Sequence, residues 1–479
     1  MGADFKSLKY ACLHIFTFSF ILITGTQTIS LIQEGGSDML RRKIHQQLLD
    51  WKVKKKKKSL IISGARQVGK TFIIREFSKE YGSFIELNFL ENPSLISVFS
   101  GDLDVETLLT NLSFYFKKSA FIPGGTLILF DEAQECPQAI TSLKFWTSDG
   151  RFDVIATGSA LGMNYNIPTS YPVGYVEYLD MYSLDFEEFL WANQISDQQI
   201  DLLKYHFTER KKVPVFLHEK MMDYLRLYMV IGGMPEVVDT YIQTHDLSEA
   251  DARQRTIYRD YLYDIARFAQ SDIKIKAENC YKSIPLQLSK ENHKFQYKIV
   301  EHKGTARKFE SSLDWLENAH FIKSVYNVSS LSYPLEAFTI QDNFRLYPTD
   351  IGLLICYYDF ALKKAILEDK TISDLPQSLI LKTAKGGLYE ALAADFLIKR
   401  GYQHIFFYKP VNSTLEIEFL ITNQDGIIPI EIKAGRSKTN SLDILLNQAS
   451  IPFGYKMADQ NIGVSEKKIT LPLYMLMFL

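Results

Sequence analysis

The stretch Gly64-Ala65-Arg66-Gln67-Val68-Gly69-Lys70-Thr71 constrains this chain more than anything else in it. It satisfies G-x-x-x-x-G-K-[ST], directly after the apolar run Leu60 to Ile62 and at the start of a helical pattern that reaches Glu80. Glycines at both ends let the backbone curl until its N–H groups point at phosphate oxygens, and the following helix adds its positive end. Lys70 is then expected to reach the β- and γ-phosphates of a purine nucleoside triphosphate, most simply ATP. The Thr71 hydroxyl is expected to ligate magnesium.

A second motif sits sixty-one residues downstream of Lys70, where Leu127-Ile-Leu-Phe130 precedes Asp131-Glu132. A strand buried on both faces delivers two carboxylates at its C-terminal tip, the end at which parallel sheets bind ligands. Asp131 is expected to hold magnesium and Glu132 to polarise the attacking water. Thr157-Gly-Ser159 ends the next apolar run, Val154 to Thr157. The Thr157 hydroxyl is a candidate for sensing the γ-phosphate or orienting water, the alternative being a simple turn. Gln134 and Arg151 lie near the same edge in sequence, without an assignable role.

Strands at Leu60, Phe84, Thr126 and Val154, separated by helical segments, predict a parallel sheet with helices on both sides. With 479 residues the chain holds about two to four domains. Asp201 to Phe268 reads as helical and includes the turn Gly232-Gly-Met-Pro235. From Ile273 to Asn327 the order is helix, turn, helix (Ala306 to Asn318), strand, the order of a winged helix. Beyond Ala384 come a helix (Gly387 to Arg400), a strand (His404 to Tyr408) and a hairpin of Leu415 to Ile421 with Ile427 to Lys433. A helix from Leu442 to Ala449 and a terminal buried strand from Leu471 to Leu479 complete it. A net charge of −2 gives no global argument for nucleic acid. Six lysines in the seven positions Lys52 to Lys58 could touch phosphates, but a solvated turn explains them as well. Four scattered cysteines exclude a disulfide framework and fit a reducing cytoplasm.

At the N-terminus, Lys6 and Lys9 precede an apolar stretch from Tyr10 to Thr24 that is too short and too interrupted to span a bilayer comfortably. The plainest reading is a translation start at Met39, with residues 1–38 a gene-start artefact. A non-spanning extension and a targeting segment are the alternatives. No membrane association is expected, and the oligomeric state is open.

On these residues the chain resembles a family of prokaryotic ATP-binding proteins. Its N-terminal half is similar to an AAA+-type ATPase domain, and its C-terminal region to the domain of unknown function 4143. Ile61 to Thr71, Phe130-Asp-Glu-Ala-Gln134, Ala156-Thr-Gly-Ser159, Gly232-Gly-Met-Pro-Glu236 and Ile430-Glu-Ile-Lys433 carry the resemblance. It implies an α/β chain: a P-loop NTPase (AAA+-like) domain over 39–192, a helical region over 193–272, a winged-helix-like region over 273–375, and a restriction-endonuclease-like α/β domain of PD-(D/E)XK type over 376–479. Relatives usually carry an arginine where this chain has Gly174-Tyr175, and Arg226, Arg259 or Arg267 could substitute. Basic Lys294, Lys298, Lys303, Arg307 and Lys308 in the middle region are interleaved with Glu291, Glu301 and Glu310, so packing between domains is as good a reading there as DNA binding.

In the tail, Glu431 and Lys433 are two apart on a strand and share a face, and Glu418 lies on the preceding hairpin strand. With Glu390 on the helix before them, they form a second candidate metal site, able to hold a divalent cation and orient water at a phosphodiester. Relatives more often have aspartate at the Glu418 place, and a half-exposed strand shows the same alternation without chemistry. The expected function is a magnesium-dependent ATPase whose hydrolysis moves a winged-helix and nuclease-like tail, possessing DNA or protein as partner. The rivals are an ATP-gated, metal-dependent DNA nuclease and an ATP-responsive protein-interaction switch with an inert tail.

Overall fold

In a computed structural model of the chain, residues 40–158, 171–269, 271–290, 292–368, 379–433, 440–448 and 450–479 are described. Ser159 and the N-terminal stretch read above lie outside them. After helix α1 (Lys43–Lys52), strands β1 (Ser59–Ser63), β2 (Ser83–Asn88), β3 (Thr126–Asp131), β4 (Asp153–Thr157) and β5 (Val176–Asp180) form one sheet in the order β2-β3-β4-β1-β5. All its pairings are parallel. Period-two alternation sorts each strand's residues between two cores. Leu127 and Leu129 join Leu60, Ile62 and helix α2 (Lys70–Phe77) on one side. Ile128 and Phe130 join α3 (Val105–Leu112) and α4 (Pro137–Asp149) on the other. Both faces are covered, as the apolar runs predicted.

The middle is helical as expected: α5 (Phe186–Ala192), α6 (Asp197–Thr208), α7 (Val215–Ile231), α8 (Pro235–Thr244), α9 (Leu247–Phe268) and α10 (Ser271–Leu288), with Pro285 in the last turn of α10. Then α11 (Ala306–Asn318) leads into strand β6 (Ile322–Val328) and its antiparallel partner β7 (Thr339–Pro348). Short helices α12 (Ile351–Ile355) and α13 (Phe360–Leu367) precede the long α14 (Leu379–Lys399).

The tail adds β8 (Phe406–Tyr408), the hairpin β9 (Ile417–Asn423) and β10 (Gly426–Ile432), α15 (Ser441–Leu446), β11 (Gly454–Ala458), β12 (Gly463–Ser465) and β13 (Lys468–Pro472). These strands and the earlier pair make one eight-stranded sheet, β12-β13-β11-β10-β9-β8-β6-β7. Strand β6 pairs with β8 in parallel, so the strand read as closing a winged helix belongs, with β7, to the end of the tail's sheet. One sequence expectation needs correcting. The terminal apolar run is not a strand throughout: Leu473–Phe478 is a 3-10 helix packed inside the molecule. An apolar run without alternation is compatible with either conformation, and burial on every side permitted the helical one. Among the described residues no helix is long and apolar enough to cross a membrane.

Candidate functional site

Strand β1 ends against the P-loop, and the loop's first glycine is dictated by contact. A Cβ on Gly64 would lie 2.2 Å from the Met181 carbonyl oxygen, because the chain leaving β5 runs alongside. Met181 N–H donates to Ser63 at 2.8 Å, and Arg42 ties the loop down through the carbonyls of Val68 (2.9 Å) and Tyr182 (2.6 Å). Helix α2 opens at Lys70, so its first amides have no partner within the helix and face the ligand end.

Four sequence-predicted residues meet there. Lys70, Thr71, Asp131 and Glu132 line a pocket of about 510 Å³, together with Arg66, Gln67 and Gly69. The Lys70 ammonium donates to the carbonyls of Gly64 (2.9 Å) and Ala65 (2.7 Å). Burial, helped by Arg66, lowers its pKa to about 8, while Glu132 and Asp131 oppose the shift. Asp131 is buried; burial raises its pKa, and hydrogen bonds from Thr157 and Thr71 hold it back. Thr71 Oγ1 lies 3.1 Å from both of its oxygens, and Asn88 Nδ2 donates at 3.3 Å. Glu132 sits just past the strand in the left-handed region (φ 51°), and Gln134 donates to it at 2.5 Å. Thr157 is fully buried and reaches Asp131 Oδ1 at 2.5 Å rather than the pocket. Ala65 and Val68 turn into the core.

The remaining wall comes from helix α9, which carries two of the arginines offered as substitutes but lines the site with other residues. Asp260, Tyr263 and Asp264 line the pocket from one helix face. Gln67 donates to Asp260 at 2.9 Å, Arg66 pairs with Asp264 at 3.2 Å, and the Tyr261 hydroxyl donates to the Arg66 carbonyl at 2.9 Å. Burial raises the Asp264 pKa to about 6, against the pull of Arg66. The only sequence signal was an acidic-aromatic cluster at helical spacing, nearly two hundred positions away. None of Arg226, Arg259 and Arg267 lines the pocket; the arginine that does is Arg66.

The Gly-Gly-Met-Pro turn is a brace. Gly233 and Leu184 exchange backbone contact (Leu184 N–H to Gly233 O, 2.7 Å), and a Cβ on Gly233 would lie 2.0 Å from the Leu184 oxygen. Asp350 accepts from Gly233 N–H (2.9 Å) and Ser183 (2.6 Å), and pairs with Lys399 at 3.2 Å. Lys399 in turn pairs with Asp395 at 2.8 Å. A buried chain of polar contacts therefore runs from the segment beside the P-loop to helix α14.

In the tail, the pairing of Ile430 with Phe419 places Glu431 opposite Glu418, one residue further on, so both carboxylates share a face as predicted from the alternation. Lys433 Nζ lies 3.4 Å from Glu418 and 3.6 Å from Glu431. Glu418 also accepts from Ile432 N–H at 3.0 Å. Burial pushes its pKa up to about 7, with Lys433 opposing. Both Glu431 oxygens are buried without a hydrogen-bond partner. Glu390 points to other partners: Arg345 at 2.5 Å, His293 Nδ1 at 2.6 Å, and the Tyr347 hydroxyl. Burial would raise Glu390, yet Arg345, His293 and Tyr347 outweigh it and hold it below the usual carboxylate range. Arg345 also grips Glu416, which Lys409 holds at 2.7 Å. Among the described residues no group of three or more His, Cys, Asp or Glu side chains is arranged to hold a metal ion. Arg345, inside the buried strand β7, was the missed residue; a charge amid Phe344, Leu346 and Tyr347 was its signal.

Comparison with known proteins assigns three segments. Residues 56–190 match an AAA domain, 222–364 a domain of unknown function (DUF8612), and 385–474 a domain of unknown function (DUF4143). No curated protein matches the chain. Among solved structures, the Walker-type ATPase PABY2304 of Pyrococcus abyssi is 13 % identical, with 67 % of this chain and 96 % of that one covered and a TM-score of 0.40. The Orc1 protein of Aeropyrum pernix, solved in complex with DNA, is 12 % identical over 69 % and 92 %, with a TM-score of 0.26. Cdc6p from Pyrobaculum aerophilum is 13 % identical over 70 % and 96 %, with a TM-score of 0.27. The P-loop and its carboxylate strand inside an AAA domain, followed by DUF4143, mean that this chain belongs to the family of AAA-domain proteins with a C-terminal DUF4143 domain.

Proposed function

We propose that the chain is a magnesium-dependent ATPase, and the convergence of Lys70, Thr71, Asp131 and Glu132 on one pocket carries that reading. The residues suit the ion: a desolvated carboxylate and a hydroxyl 3.1 Å from it are hard oxygen donors. Held by Thr71 and Asp131, magnesium supplies charge neutralisation at the β- and γ-phosphates. Lys70 exchanges its two carbonyl contacts for phosphate oxygens, and phosphate restores the full charge that burial weakens. The loop amides from Gly64 to Thr71 bind the remaining oxygens. Glu132, aimed into the pocket by its left-handed backbone and held by Gln134, takes the proton of the attacking water. Thr157 fixes the Asp131 carboxylate and so acts as a positioning residue.

In this reading residues 39–192 bind nucleotide and 193–272 brace the site. Residues 273–375 supply a winged-helix-like unit whose hairpin extends the sheet of the PD-(D/E)XK-like tail, 376–479. The polar chain through Asp350 and Lys399 supports transmission of the nucleotide state to that tail. Free Cys136, Cys280 and Cys356 suit the reducing cytoplasm in which ATP is available. A second reading, a metal-dependent nuclease gated by ATP and acting on DNA, rests on one observation: the buried Glu431 carboxylate without a hydrogen-bond partner, beside Glu418 and Lys433.

Nucleotide titration and phosphate release test the first reading. Lys70→Ala should lose ATP binding, and Glu132→Gln should bind ATP while losing most turnover. Equal ATP affinity in wild type and Lys70→Ala would refute the site.

A further inference from the structure

The lysine run is the exposed turn expected of it, but it also borders a concavity. Lys54 to Lys58 ring a second pocket of about 460 Å³, whose wall includes Trp146, Phe152 and Tyr175. It lies at the N-terminal ends of β1, β4 and β5, the opposite edge of the sheet from the P-loop, so it is not an extension of the nucleotide site. The turn is held in shape from below. Trp51 donates its indole N–H to the Lys58 carbonyl at 3.0 Å, and Lys57 bridges the Lys52 carbonyl (3.0 Å) and Asp153 (2.6 Å).

Two acids meet this run, and each is already used: Asp153 by Lys57, and Glu177 by Lys54 at 2.6 Å. Lys55 and Lys56 are exposed and Lys58 half-buried, with no acidic partner among the described residues. The pocket therefore keeps a surplus of three positive charges around a concave, aromatic-walled space. Tyr175, under the Lys144 ammonium at 5.4 Å, stands in the segment where relatives carry arginine.

We infer that this pocket binds the phosphodiester backbone of nucleic acid. The cations are all lysine, point charges suited to successive phosphates, whereas a carboxylate-bearing peptide is gripped best by the bidentate arginine fork. Consecutive lysines on one exposed turn follow a chain of charges, and Tyr175, the one wall ring that is not buried, offers a face for an unstacked base. The inference is independent of whether the P-loop hydrolyses ATP.

Fluorescence anisotropy of a labelled single-stranded oligonucleotide and its duplex, with the full chain, tests it. Lys55→Glu/Lys56→Glu alters two exposed positions outside the nucleotide site, and unchanged ATP binding will confirm the fold. We expect affinity at low salt to fall at least about ten-fold. The slope of log K against log salt should become shallower by about two between about 50 and 200 mM. Lys303→Glu/Arg307→Glu, in the winged-helix-like region, serves as the comparison. Four results overturn the inference: no oligonucleotide bound by wild type, equal affinity and slope in the lysine variant, loss in the comparison variant alone, or capture by phosphatidylserine vesicles in place of oligonucleotide.

Discussion

The nucleotide pocket and the tail cluster are built from the same parts, a lysine and two carboxylates carried by strand ends, yet they end in opposite states. In the pocket, Lys70, Asp131 and Glu132 face about 510 Å³ of open space, and their hydrogen-bond partners are neutral hydroxyls, two side-chain amides and carbonyls. In the tail, Arg345 from β7 and His293 from the loop after α10 close on Glu390, while Lys433 lies between Glu418 and Glu431. A site waiting for a charged ligand leaves its charges for that ligand. A structural cluster neutralises them itself.

The largest expected effect exploits that contrast. Arg345 is fully buried, so Arg345→Met leaves buried Glu390 without its guanidinium in a low-dielectric interior and should cost about 3–5 kcal/mol in urea unfolding. Adding Glu390→Gln should recover much of it. Lys70→Met removes a charge that burial already weakens and should change stability by no more than about 0.5 kcal/mol. Comparable losses at both positions would break the comparison.

Titration comes next, and the two tail glutamates have opposite signs. Glu390 is held below its ordinary range, so its contribution is present above the unfolded pKa and is lost as pH falls through the folded one. Glu418, raised to about 7, binds its proton more tightly folded than unfolded, so it destabilises progressively as pH rises from about 4.5 to 7. Glu418→Gln should therefore be more stable than wild type by about 1 kcal/mol at pH 8, and the curves should converge below pH 4.5. Parallel curves would show that Glu418 is not desolvated.

How much of this was legible follows from how local each signal is. The P-loop, the carboxylate strand and the β9–β10 register depend on neighbours in sequence, and period-two alternation was enough to turn Glu418 and Glu431 to one face. The α9 wall and Arg345 depend on contacts across more than forty residues, and nothing near them says what they will meet. The β6–β7 pair illustrates the same limit: β6 was readable as a strand and β7 was not read, and the parallel partner β8 lies some eighty positions away. The final apolar run failed for a different reason, since burial on all sides erases the periodicity that separates strand from helix.

A smaller effect is expected at the α9 wall. An ionised Asp264 repels the phosphates of a bound nucleotide, so ATP affinity in wild type should weaken as pH rises through about 6. Asp264→Asn should remove that part of the pH dependence and bind about three-fold tighter at pH 7.5, more clearly at low salt. Competition of labelled nucleotide across pH 5.5 to 8 measures it. Identical pH dependence in both proteins would place Asp264 outside the nucleotide's field.

The smallest effect decides whether the tail can be a metal site at all. A divalent ion shared by Glu418 and Glu431 must take the place of the Lys433 ammonium, which already lies 3.4 and 3.6 Å from them. Glu390 cannot help while Arg345 holds it, and at neutral pH Glu418 is partly protonated. Manganese titration in a Lys70→Ala background, where the P-loop is silenced, should therefore give no gain in thermal stability at millimolar metal. Lys433→Met removes the competing cation and leaves the Glu431 carboxylate unpaired, so it should create weak binding. A site half-filled at the working concentration stabilises by only about 0.4 kcal/mol, which thermal unfolding can still resolve as a metal-dependent shift. Glu431→Ala in that variant should erase the shift. If instead wild type binds manganese and cleaves nicked, single-stranded or duplex DNA in a Glu431-dependent way, the ammonium yields to metal. The two lysine–carboxylate sites would then differ only in which ligand they await.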